Sequence, residues 1–88
     1  MAHSQSAKKR VRQNEISRVR NRTYRSKMRT AVKKLRSALD AGNSEAVSEL
    51  LPGTLQLVDE TAQKGVIHRN AAARTKSRLT RAANSLEA

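Results

Sequence analysis

An apolar stripe that stops halfway along a helical stretch constrains this chain most. At about 100° per residue, Tyr24, Met28, Ala31, Val32, Leu35, Ala38 and Leu39 fall on one face. That is the i, i+3, i+4, i+7 pattern of a helix with one buried side. Traced toward the N-terminus, the same face is occupied by Asn21, Ser17, Asn14 and Arg10, none of which gains by burial. Residues 6–39 therefore read as one long helix with two unlike halves. The later half needs a partner to pack on. Residues 6–23 either extend as a basic rod of about 27 Å, at about 1.5 Å rise per residue, or stay unfolded until a polyanion orders them.

Charge walls the stripe on both sides. Arg18, Arg22, Arg25, Arg29, Lys33 and Arg36 follow one another at steps of three or four on one flank, and Arg20, Lys27 and Lys34 recur every seven on the other. Glu15 is the one acid before residue 37. The sign then reverses, with Asp40, Glu45, Glu49, Asp59 and Glu60 and no cation between residues 37 and 63, before Lys64, Arg69, Arg74, Lys76, Arg78 and Arg81 return. Solvated helices ordinarily intersperse Glu with Lys to gain i, i+4 pairs. The long first helix has almost none, so its cations are built for a partner. A net charge of +12 and a pI near 11.6 repel the compact state and attract nucleic acid or an anionic surface. The preference for Arg, which forks phosphate bidentately and stacks on bases, points to structured RNA.

Gly42 suits the left-handed position after a helix, and Asn43 or Ser44 suits the next cap. Val47, Leu50, Leu51, Leu55, Val58 and Ala62 then repeat at helical spacing. Pro52-Gly53 lies inside this second helix, and a mid-helix Pro costs about 3 kcal/mol or more, so a kink or a break near Leu51 is expected. Lys64-Gly65-Val66 reads as a helix end with Val66 folding back. A third helix from about residue 68 to residue 86 has a thin apolar face of Ala72, Leu79, Ala83 and Leu86. The expected fold is all-α: a three-helix up-down-up bundle with a long basic N-terminal helix projecting beyond it. The expected layout is one domain over residues 1–88, with residues 1–23 as the extension and 24–88 as the bundle. With 88 residues and Tyr24 as the lone aromatic, the core is thin, and the free protein is expected to be marginal and to gain stability on binding.

Other chemistries find little support. The chain has no Cys, no Gly-rich phosphate loop, no paired carboxylates in a polar setting and too little core to enclose a pocket, so neither catalysis nor a cofactor is expected. His3 and His68 are far apart in sequence and make a metal site improbable. His68 reads instead as a capping or hydrogen-bonding residue. No apolar run approaches the ~20 residues of a membrane span, and the absence of Trp and Phe argues against an interfacial helix. The early residues share a presequence's composition, but Ala7, Val11, Ile16 and Val19 do not share a face. The third helix imitates a zipper basic region at Asn70, Ala73, Ser77 and Arg78 but departs at Arg74, and no zipper follows. A nonspecific DNA-compacting protein remains the alternative reading of the charge.

Three blocks of sequence resemble a known family, the bacterial small-ribosomal-subunit protein numbered twenty. They are Ser6-Ala7-Lys8-Lys9-Arg10, then Met28-Arg29-Thr30-Ala31-Val32-Lys33-Lys34, and Lys64-Gly65-Val66-Ile67-His68 through Leu79. The resemblance implies a three-helix bundle that binds 16S-type ribosomal RNA directly and early in assembly, within the cytoplasmic small subunit. It implies no enzymatic activity, cofactor, small-molecule substrate or membrane, and no homo-oligomer is expected. Carried over by position, RNA contacts would lie on Lys8, Lys9, Arg10 and Arg12, on Arg18, Arg22, Arg25 and Arg29, and on His68, Asn70, Arg74, Lys76 and Arg78; Lys33 continues the same row. Ile16, Ser17, Ala71 and Thr75 depart from the family's basic pattern, and no contact is carried to them. The protein is expected to hold distant RNA helices together, with the acidic second helix facing away.

Overall fold

The computed structural model describes residues 3–87, with side chains described for residues 6–86. Three helices follow one another, α1 (His3–Asp40), α2 (Ser44–Gln63) and α3 (Arg69–Glu87), and no strand occurs among the described residues. Residues 1, 2 and 88, at the ends of the expected domain, and the side chain of His3 lie outside this description.

The turns are made by the residues suited to them. After α1, Gly42 takes φ +68°, its N–H donates to the Leu39 carbonyl at 3.1 Å and the Asn43 N–H donates to the Ala38 carbonyl at 3.0 Å. This is a Schellman closure, which satisfies carbonyls a helix end leaves open. Asn43 then caps α2, its side-chain oxygen accepting from the Ala46 N–H at 3.1 Å, so Asn43 rather than Ser44 is the cap. The second turn repeats the device: Gly65 has φ +75°, and the N–H groups of Gly65 and Val66 donate to the Ala62 and Thr61 carbonyls at 2.9 and 3.1 Å. Val66 is buried, as the fold-back requires.

Pro52 neither breaks nor interrupts α2, which runs continuously past it. Its missing N–H leaves the Ser48 carbonyl without its usual donor, and Ser48 is exposed, so water can serve instead. Val47 and Val58, buried on either side of the proline, hold both halves of α2 against the core.

The short turns make neighbouring helices antiparallel. Ser26 to Lys34 of α1 share one recess with Glu49 to Leu57 of α2, and Lys76 of α3 reaches back to Asp59 of α2. The core joins Leu35, Val47, Leu79 and Ala83, flanked by Val32, Ala38, Leu39, Leu50, Leu51, Leu55 and Leu86. Helix α2 is the centre: α1 and α3 both pack along it and hardly meet each other. The bundle is therefore open on one side. Thr54 and Thr61 are also buried, which the apolar pattern did not indicate. Each hydroxyl donates to the carbonyl four residues back, Leu50 at 2.8 Å and Leu57 at 2.6 Å, so neither is left unsatisfied.

Helix α1 outruns its partner. With 38 residues against 20 in α2, it exceeds α2 by about 27 Å at about 1.5 Å per residue. Every described residue from Ser6 to Ile16 is exposed. Burial reaches slightly beyond the expected boundary, since Ser17 and Asn21 are half-buried, and the Asn21 Oδ1 is sealed from solvent without a hydrogen-bond partner. The molecule measures 66 × 20 × 15 Å with a radius of gyration of 17.6 Å, against about 12 Å for a compact domain of this length.

Candidate nucleic-acid interface

The helical period places the cations of α1 in rows, and the absence of packing leaves them exposed. Lys8, Lys9, Arg10 and Arg12 lie on the projecting rod, and Arg18, Arg22, Arg25, Arg29 and Lys33 form one row along the rest of α1; all are exposed. Arg18 is engaged by Glu15, its Nη2 donating to both carboxylate oxygens at 2.9 and 2.8 Å. That pair is well exposed, so it contributes about 1 kcal/mol or less and yields readily to a phosphate. The row borders an open recess of about 980 Å³ lined by Arg18, Arg22, Arg25 and Arg29 with Asn14, Ser17 and Asn21. Arginines and amides around a shallow trough offer donors to phosphate oxygens and to ribose hydroxyls.

The second group of cations sits on α3. His68 caps it: the Nδ1 accepts from the Asn70 N–H at 3.0 Å, while the His68 carbonyl accepts from the Ala72 N–H at 3.1 Å. With Nδ1 occupied as an acceptor, the exposed imidazole offers Nε2–H outward. His68, Asn70, Arg74 and Arg78 are exposed. Lys76 differs, being half-buried with its Nζ 2.8 and 3.0 Å from the Asp59 carboxylate oxygens, where it ties α3 to α2. The α1 and α3 groups are carried on helices that scarcely touch, each packed along α2. Arg81, exposed and donating to the Ser77 Oγ at 3.2 Å, extends the α3 surface and was not among the expected contacts. Its signal was the step of three from Arg78.

The acidic residues are segregated. Glu45, Glu49 and Glu60 share the side of α2 opposite its buried Val47, Thr54, Val58 and Thr61, and Gln56 donates to Glu60 at 3.1 Å. No group of three His, Cys, Asp or Glu among the described residues is placed to hold a metal. No described helix is long and apolar enough to cross a membrane.

The family model of ribosomal protein S20 matches residues 2–84. The chain belongs to the ribosomal protein S20 family. It is 49% identical over 86 residues to small ribosomal subunit protein bS20 of Mycobacterium sp. (strain JLS), covering 98% of this chain and 100% of that one. It is 46% identical to the protein of the same name from Rhodococcus erythropolis, with the same coverage. It is also 46% identical over 88 residues to that of Desulfotalea psychrophila, covering 100% of this chain and 99% of that one. The resemblance read from three blocks of sequence thus extends over the whole S20 length. Membership makes the chain a structural component of a ribosome rather than an enzyme.

Proposed function

We propose that this S20 chain binds protein-free 16S-type ribosomal RNA directly and early in assembly, as a monomer, through backbone contacts from two basic surfaces. It is a component of the bacterial small ribosomal subunit in the cytoplasm. The observation that carries the reading is the exposed row of Arg18, Arg22, Arg25, Arg29 and Lys33, continued by Lys8, Lys9, Arg10 and Arg12 on a rod with no packing partner. A helix held out from the fold, with only Glu15 to balance it, has a use only against a polyanion. Lys and Arg neutralise phosphates and release counterions. With Tyr24 the one aromatic, base stacking is a minor contributor, and recognition rests on the shape, phosphates and 2′-hydroxyls of folded RNA.

Residues 24–88 form the folding unit in this reading and residues 1–23 its extension. His68, Asn70, Arg74, Lys76 and Arg78 supply the second surface, Lys76 after exchanging Asp59 for a phosphate. The acidic side of α2 faces away from RNA and thereby sets the orientation. The test is a titration against refolded, protein-free small-subunit rRNA with duplex DNA of equal phosphate content as competitor. A preference for the rRNA of about a hundredfold, ~2.7 kcal/mol, that survives near-physiological salt is expected. Equal competition would instead mark a general nucleic-acid compactor.

A further inference from the structure

Gly53 has no explanation in the fold. It lies inside α2 with an ordinary helical backbone, the positive φ angles belonging to Gly42 and Gly65. A Cβ added to it meets nothing within 4 Å, so no neighbouring helix needs its small size. Glycine is the poorest helix former after proline, and alanine or leucine would hold α2 better at this position. What a side chain here would take up is the recess of about 580 Å³ between α1 and α2, which Gly53 lines with Ala31, Leu50 and Leu57.

The recess has an apolar floor and a charged rim. Leu50 and Leu57 are half-buried, and the Thr54 hydroxyl is spent on the Leu50 carbonyl at 2.8 Å, so the floor side chains offer no free donor. Ser26, Lys27, Thr30 and Lys34 form the α1 lip and Glu49 stands on the α2 lip, all exposed. Glu49 lies across the opening from Lys27 and Lys34, yet the ion pairs among the described residues are Arg18–Glu15 and Lys76–Asp59. Opposite charges held apart over an apolar floor leave a slot open.

That slot has the chemistry of a base site. A nucleobase has two apolar faces and a polar edge, and its strand carries a phosphate on either side. Lys27 and Lys34, two turns and about 10.5 Å apart along α1, suit those phosphates. Leu50, Leu57 and the bare Gly53 backbone accept a ring face. A carboxylate accepts two hydrogen bonds side by side. Guanine alone among the four bases presents two adjacent donors, N1–H and the 2-amino group, on its Watson–Crick edge. In adenine, cytosine and uracil an acceptor borders the donor and repels the carboxylate. So open a slot holds a base tethered through its strand rather than a free nucleotide.

We propose that this recess receives one unpaired guanine of the small-subunit rRNA. Its ring rests on Leu50, Gly53 and Leu57, its flanking phosphates meet Lys27 and Lys34, and its N1–H and 2-amino group donate to the Glu49 carboxylate. This rests on the rRNA-binding reading above and adds a base-specific contact to recognition by backbone and shape. Glu45 and Glu60 still face away, and of that acidic side the Glu49 lip alone meets RNA.

Kethoxal, which attacks N1 and the 2-amino group of unpaired guanine, tests it on refolded full-length small-subunit rRNA, beside hydroxyl-radical footprinting of the backbone. The unaltered protein is expected to protect a guanine from kethoxal. Gly53→Leu and Glu49→Gln should each lose that protection and keep the backbone footprint. Leucine fills the slot, but it is a better helix former than glycine and its Cβ meets no neighbour, so that variant should melt no lower than its parent. Glu49→Gln separates recognition from repulsion. Neutralising an acid that merely repelled RNA would tighten binding, whereas loss of a bidentate edge contact weakens it about tenfold. A backbone footprint without a guanine protection that depends on both residues overturns the base site and leaves rRNA binding standing. Tighter binding by Glu49→Gln does the same, and so does a recess that takes a protein segment instead, since rRNA protection would then be unchanged in both variants. No backbone footprint from the unaltered protein overturns both readings.

Discussion

Leu35→Ala tests whether the rod is anchored as the structure indicates. Leu35 is 0% exposed and, among the described residues, is the one fully covered apolar side chain of α1, in one cluster with Val47, Leu79 and Ala83 from the other two helices. Truncating such a leucine costs about 2–5 kcal/mol through lost transfer energy and the cavity left behind. A chain of this length holds only about 4–13 kcal/mol in total. At about 4–8 °C per kcal/mol for a domain of this size, a loss of ~3 kcal/mol lowers the melting midpoint by about 12–24 °C. The assay is thermal unfolding followed by circular dichroism, with Val19→Ala as control. Val19 is 57% exposed on the same helix, and its loss should move stability by no more than about 0.5 kcal/mol. Refolded rRNA in about thousandfold excess over Kd should return about 4 kcal/mol to the variant. A Leu35→Ala protein that melts within a few degrees of its parent would refute the claim that this contact fastens α1 to α2 and α3.

Three smaller perturbations probe the rest of the fold. Pro52→Ala restores a donor to the Ser48 carbonyl inside a continuous helix and should stabilise by about 2 kcal/mol, the proline's helical cost less the unfolded-state entropy it removed, measured by urea unfolding. Gly65→Ala places a Cβ where nothing lies within 4 Å, so its cost is that of the left-handed backbone alone, about 1–2 kcal/mol; the same urea series checks it. Asp59→Asn breaks a partly exposed ion pair with Lys76 and should change stability by less than about 1 kcal/mol while tightening rRNA binding slightly, because Lys76 is freed; weaker binding would argue against a contact at Lys76.

How much of this was legible in the sequence varies with the physics of each element. The helices and both turns were readable because period and cap chemistry are local: Gly42, Asn43 and Gly65 do what their backbone freedom and side chains favour. Pro52 was not readable, because the local penalty competes with burial of Val47 and Val58 on either side, and only the assembled core decides between them. Thr54 and Thr61 were missed since a threonine that returns its hydroxyl to its own helix behaves as an apolar residue, and sequence does not show which threonines do so. The weak meeting of α1 and α3 was equally hidden, because a helical pattern gives the width of an apolar face and not the partner that covers it. The basic rows were the most legible feature, since surface charge on a helix needs only the period. Lys76 is the exception, drawn to Asp59 by a neighbour 17 positions away.

If the arginine row of α1 touches phosphates, the salt dependence of binding must show it. The measurement is the binding constant for refolded small-subunit rRNA across a series of salt concentrations, for the unaltered protein and for Arg22→Ala/Arg25→Ala/Arg29→Ala. Removing three phosphate contacts should reduce the slope of log K against log salt by about 2 to 3, as well as weaken binding at every salt concentration. Parallel lines for the two proteins would show that those arginines neutralise no phosphate, and the interface would have to lie elsewhere on the molecule.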